Sequence, residues 1–230
     1  MIDKHARLLK LARLRQESRW PGYRCIGDYC KRRYECDFVS PYTRSAGNVD
    51  AELMILLQDW SSDEVLSGPY LHARCTVGHD PCRVTNKRLK GLLQRHFELE
   101  LKDVYATNVF PFVKLGAMSA SIPMRDLVRA AREFALPQIE IVGPWLAVCL
   151  GKAAFDAVAL AACRRRAGSL AEAIESPFEI GGTQVWCQAH TGQLGTNARN
   201  RNGADQVAKD WASMAAVYYE RVTQAGAHVG

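Results

Sequence analysis

Apolar residues along the chain follow two patterns, short runs without polar interruption and longer stretches with helical spacing. Residues 53–57 and 145–150 are unbroken apolar runs, which suit strands covered on both faces, as in a parallel sheet. Residues 104–108 and 185–189 read as two further strands. Helical spacing appears over residues 4–16, where Leu8, Leu9, Leu11, Ala12 and Leu14 stand among basic residues. It recurs over 86–97, 124–140, 153–162 and 206–223. Residues 20–41 form an irregular, cysteine-bearing segment with Pro21-Gly22 as a turn signal. Strands separated by helices predict an α/β protein, three-layer α/β/α, with a central, mostly parallel four-stranded sheet. At 230 residues the chain can bury one sizeable core. A single domain over 1–230 is expected, with 1–45 a helical, Cys-bearing extension packed on it.

In a parallel sheet, chemistry gathers beyond the carboxyl ends of the strands. The first strand ends on Gln58-Asp59, the second on Thr107-Asn108 and the fourth on His190-Thr191. Singly, Asp59 reads as a helix cap, Asn108 as a turn residue and His190 as a loop histidine. Jointly they predict an acid, an amide and an imidazole converging on one sheet edge.

Composition changes the picture little: 48% hydrophobic and 23% charged residues describe an ordinary globular protein. There are 30 Lys plus Arg against 24 Asp plus Glu, a net charge of +6, which only mildly favours an anionic partner. The placement of the charge says more. Lys31, Arg32 and Arg33 form one basic cluster and Arg164, Arg165 and Arg166 a second, while Arg199 and Arg201 lie in a stretch, 190–204, without a carboxylate. No run of about 18 apolar residues offers a membrane span. The charged N-terminus, from Asp3 through Arg15, lacks the apolar core of a signal peptide. The expectation is a cytoplasmic protein with no membrane partner.

From about residue 52 to 217 the motifs resemble those of the uracil-DNA glycosylase superfamily. Gln58-Asp59 matches the Gln-Asp of the Gly-Gln-Asp-Pro-Tyr-His that ends the first strand of its best-known branch. Gly68-Pro69-Tyr70 resembles the Gly-x-Pro-Phe of the iron–sulfur branch, Thr107-Asn108-Val109 its Thr-Asn-Val, and the stretch 139–152 its passage into a Leu-Gly strand end. His190-Thr191-Gly192-Gln193-Leu194-Gly195 resembles His-Pro-Ser-Pro-Leu-Ser, with both prolines and the first serine replaced. The resemblance implies a DNA glycosylase acting on a flipped-out pyrimidine. Asp59 would place water, His190 would stabilise the departing base, and Gln58, Asn108 and a stacking Tyr70 would bind it. Leu194 would enter the duplex, and Arg199 and Arg201 would hold phosphates. In the best-known branch a tyrosine after Asp-Pro excludes 5-methyl groups, and Ser61 stands at that position here. Two substrates follow. Either Trp60 closes the gap and the base is uracil, as in base-excision repair, or the gap admits a 5-substituted pyrimidine such as glucosylated hydroxymethylcytosine of phage DNA. The smaller residue favours the second, and a phage-defence role.

Eight cysteines in a cytoplasmic chain are expected to be thiols, with Cys149 and Cys187 in the core. The branch with an iron–sulfur cluster takes two later ligands near positions that are Pro111 or Phe112 and Ala131 here, so that cluster is not expected and catalysis needs no cofactor. Cys25, Cys30, Cys36, Cys75 and Cys82, with His72 and His79 nearby, supply enough soft ligands for a structural zinc, at spacings that match no established pattern. A monomer is expected. The alternatives are a non-catalytic protein that binds modified DNA, disfavoured by Asp59; a covalent trap through the His190 loop; and an unrelated nucleotide-binding enzyme, which no Gly-rich phosphate loop supports.

Overall fold

The computed structural model describes residues 3–201 and 203–227. The chain runs α1 (Lys4–Glu17), β1 (Tyr23–Arg24), β2 (Leu53–Asp59), α2 (Asp63–Ser67), α3 (His72–Thr76), α4 (Val84–Phe97), β3 (Tyr105–Phe110) and β4 (Val113–Lys114). It continues through α5 (Met124–Ala130), α6 (Leu136–Val142), β5 (Leu146–Leu150), α7 (Lys152–Ala161), α8 (Leu170–Glu175), β6 (Phe178–Ile180), β7 (Thr183–Gln188), α9 (Gln193–Arg199) and α10 (Gln206–Ala227).

The main sheet has the order β3-β2-β5-β7-β6. The four strands expected from the apolar runs are parallel, and a fifth, β6, adds an antiparallel edge. Gly181 and Gly182 join β6 to β7, with φ of 55° and 88°. That left-handed two-residue turn is the geometry that fits strand twist in a tight hairpin. β6 is three residues long and only partly buried, so no apolar run marks it.

Alternation along β2 explains the three layers. Met54 and Leu56 enter one core with Leu127, Phe134, Phe155 and Val158 of the α5–α7 side. Leu53, Ile55 and Leu57 enter another with Leu89, Leu93, Trp211 and Met214 of α4 and α10. A strand with both faces covered has to be apolar at every position, which is why residues 53–57 form a continuous run. The helical stretch 124–140 is one rod broken by a π turn at Ala131–Ala135. Pro137, in the first turn of α6, has no N–H for the helical ladder, and the wider turn takes up the break.

The N-terminal segment is part of the same core rather than a loose appendage: Leu8, Trp20, Cys25 and Val39 pack with the α5–α7 side. Arg15 is fully buried, paired with Glu35 and bonded to the carbonyls of Cys36 and Phe38 at 2.8 Å each. β1 pairs antiparallel with β4, Tyr23 opposite Lys114, and thereby fixes where Lys114 sits.

Candidate active site

Beyond the carboxyl ends of β2, β3 and β7 lies a cleft of about 590 Å³. Gln58, Asp59, Ser61, Asn108, His190 and Leu194 all line it, so six residues singled out from the sequence come together. The register delivers them: Leu57 on β2 lies opposite Asn108 on β3, and β7 ends two residues before His190.

Asp59 accepts a hydrogen bond from Gln58 Nε2 at 2.8 Å through Oδ1. Its Oδ2 lies 3.0 Å from the Lys114 ammonium, with both side chains almost fully buried. The ammonium donates to the Met118 carbonyl at 2.6 Å, and its approach to Oδ2 is off-line for a hydrogen bond, which leaves that oxygen without one. A buried carboxylate oxygen short of a donor keeps capacity for a positive charge that develops beside it.

Asn108 is buried, and its Oδ1 accepts from Ser40 Oγ at 2.5 Å. The same Oγ accepts from the Tyr42 N–H, so its own proton goes to the amide oxygen and fixes the amide's orientation. Nδ2 is thereby left as a buried donor without a partner. His190 Nδ1 accepts the Gly192 N–H at 3.0 Å. A backbone N–H can only donate, so the neutral ring carries its proton on Nε2. The ring has open surface toward the cleft but protein atoms crowd the rest of it. Burial lowers its pKa below the ordinary histidine value, against the pull of the Asp59 charge and with help from Lys114. The cleft therefore offers a neutral N–H donor. Gly192 makes this arrangement possible: a Cβ there would meet His190 Cε1 and Nδ1 at 2.8 Å.

Leu194, on the first turn of α9, is 85% exposed at the rim. Ser61 is buried in the wall. Two expected residues are placed otherwise. Tyr70 lies outside the cleft, stacked on Tyr34 at 5.7 Å, with its hydroxyl on Cys75 Sγ and the Arg33 guanidinium 5.3 Å from its ring. The aromatic rings lining the cleft are Tyr42, stacked on His79 at 4.7 Å, and Trp60, whose indole N–H donates to the Gly78 carbonyl at 2.7 Å. Arg199 is held by both oxygens of Asp210, at 2.7 and 3.0 Å, and ties α9 to α10 rather than facing a phosphate. Arg201 is exposed on the turn after α9.

Lys114, Tyr42 and Ser40 were not read from the sequence as site residues, and His79 was weighed only as a metal ligand beside the cysteines. The signal for Lys114 was a lone charge in the apolar stretch from Val109 to Leu115.

The cysteines do not assemble. All eight are free thiols. Cys25 Sγ faces the Ser18 carbonyl, Cys36 lies beside Arg15, Cys75 faces the Arg33 carbonyl, Cys30 is half-buried near Tyr34, and Cys82 is exposed. Among the described residues no three His, Cys, Asp or Glu side chains are grouped to hold a metal, so the zinc entertained from composition finds no ligand set. The iron–sulfur cluster does not fit either, because Phe112 and Ala131 stand in the apolar core where its later ligands would be. Cys149 and Cys187 are in the core as expected, and burial pushes the Cys187 thiol up to about 12. None of the described helices is long and apolar enough to cross a membrane.

No curated protein matches the chain. Residues 45–215, most of its length, match the family model described as uracil DNA glycosylase superfamily. With the parallel sheet and the Asp59, Asn108 and His190 cleft at its edge, that match shows that the chain belongs to the uracil-DNA glycosylase superfamily.

Proposed function

We propose that the protein is a monofunctional DNA glycosylase that hydrolyses the N-glycosidic bond of a flipped-out, 5-modified pyrimidine and leaves an abasic site. The observation that carries this reading is the convergence of Asp59, Asn108 and His190 in a single 590 Å³ cleft with Ser61 buried in its wall. Leu194 enters the vacated stack as the nucleotide swings out. Asp59 positions water and stabilises the positive charge that grows on the sugar, while the His190 Nε2–H donates to O2 of the departing base. Both groups act where charge develops, and each such interaction is worth about 10²–10³ in rate. A small buried serine and polar side chains such as Arg74 and His79 on the same cleft suit a bulky, hydroxyl-bearing 5-substituent, glucosylated hydroxymethylcytosine of phage DNA among them. In that reading the protein works as a cytoplasmic monomer in phage defence.

A second reading has its own observation. With Oδ1 held by Ser40, Asn108 turns its Nδ2 donor to the base, which complements the O4 of uracil better than the 4-amino group of a cytosine. Alkali-revealed strand cleavage on matched duplexes carrying uracil, 5-hydroxymethylcytosine, its glucosylated form or no modification separates the two, with Asp59→Asn as control. Cleavage at the glucosylated base supports the first reading, and cleavage confined to uracil replaces it with base-excision repair.

A further inference from the structure

Lys114 is a buried cation inside the cleft, and none of the roles above uses it. Its place is built rather than accidental. β4 pairs with β1 opposite Tyr23, Ser62 bridges to Lys114 from the other side, and the Met118 carbonyl takes one ammonium hydrogen at 2.6 Å. These three attachments hold the ammonium 3.0 Å from Asp59 Oδ2 without aligning it as a hydrogen bond. The pair works by charge, with the oxygen buried and short of a hydrogen bond.

We propose that Lys114 is a positioning residue of the excision reaction, offsetting the Asp59 charge so that His190 meets the base as a neutral Nε2–H donor. The inference rests on the glycosylase reading of the cleft. Its logic is electrostatic: a lone carboxylate at the same sheet edge would draw a proton onto the imidazole. A cationic ring would lose the Nδ1 lone pair that accepts the Gly192 N–H, and with it the ring's orientation. Burial is the largest influence that lowers the His190 pKa; of the two charges that act on it, Asp59 pulls it up and Lys114 pulls it down. Arg74, His79, Asp80 and Arg83 also line the cleft, and Arg88 on α4 is bonded to Gln193 beside the loop.

The test follows the His190 ring nitrogens by NMR across pH in the full-length protein, free of DNA, as wild type, Lys114→Met and Lys114→Arg. Lys114→Met is expected to raise the His190 titration midpoint by roughly one pH unit, with Lys114→Arg close to wild type. The acid limb of base release should move to higher pH in Lys114→Met alone. Should that variant fail to fold, Lys114→Gln, which also removes the charge but keeps a polar end, should raise the midpoint in the same direction. An unchanged midpoint in Lys114→Met, or an equal rise in Lys114→Arg, overturns the proposal. No base release from any of the four duplexes would overturn the glycosylase reading instead, and the imidazole titration would still decide whether Lys114 sets the charge of His190.

Discussion

Two buried carboxylates in this fold are partnered in opposite ways. Asp156, on α7, is 1% exposed and has both oxygens engaged. Oδ2 accepts from Lys152 at 2.5 Å and Arg166 at 3.0 Å, and Oδ1 accepts from the Ala167 N–H at 3.2 Å. Asp59, at the end of β2, holds one oxygen on Gln58 and leaves the other beside an off-line ammonium. A carboxylate that only holds structure together satisfies every lone pair it can, because an unmet buried acceptor costs about 1–3 kcal/mol. One that keeps an oxygen open is suited to a partner the free protein does not contain. The same contrast divides the amides. Gln138 bridges Tyr105 and the Phe134 carbonyl inside the core, whereas Asn108 keeps its Nδ2 free in the cleft.

The sharpest way to break the comparison is to neutralise both acids. Asp59→Asn should lose base release by about 10²–10³ while still binding DNA, since an amide cannot stabilise the charge on the sugar. Asp156→Asn should instead destabilise by about 1–3 kcal/mol in urea unfolding and keep normal turnover per folded molecule. Its partners Lys152 and Arg166 are 22% and 60% exposed and can turn to water, which limits the cost. Full activity in Asp59→Asn would remove that residue from its role.

A second test leaves the carboxylates alone and moves the imidazole. The added methyl of Gly192→Ala would stand 2.8 Å from two ring atoms of His190 and 3.3 Å from Thr85 Oγ1, so the ring has to shift and lose its Gly192 contact. Base release should fall about 10–100-fold at nearly unchanged melting temperature, as misplacement of a reacting group does. A matching loss of stability would show that the glycine serves the loop and not the ring. Leu194→Ala asks less. Its 85% exposure means that truncation removes no core contact, so stability should hold while action on duplex falls about tenfold relative to single strands. Equal losses on both would count against a wedge.

Physical reasons decide which parts of this arrangement could be read from residues. The central strands are buried on both faces, so their apolar runs and polar endings at Asp59, Asn108 and His190 stand out along the chain. β6 leaves no such trace, although the Gly181-Gly182 pair is a hairpin signal that identifies it in retrospect. Lys114 was hidden because a two-residue strand placed by pairing with β1 has no periodicity of its own. Arg199 looked free because its partner, Asp210, lies outside the carboxylate-free stretch and meets it only through the packing of α9 on α10. A charge's partner across a fold is invisible to local composition.

The smallest expected effect is the most direct test of motif against geometry. Gly68-Pro69-Tyr70 matches a stacking motif, and on that basis Tyr70→Ala should lose the roughly 1–3 kcal/mol of a base–aromatic stack. The structure instead leaves the ring off the cleft lining, 41% exposed, stacked on Tyr34 and with the Arg33 guanidinium 5.3 Å from its centre. Tyr42, carried by the 3₁₀ turn Pro41–Arg44, and Trp60 are the rings on the cleft wall, Tyr42 being braced by His79 and by a 3.1 Å bond from its hydroxyl to Asn86. Tyr70→Ala should therefore change base release by no more than about twofold, as exposed substitutions away from a site do. A loss above tenfold would mean that the loop before α3 folds over the DNA and that Tyr70 reaches the base only in the complex, which would restore the motif's role by a movement of the loop.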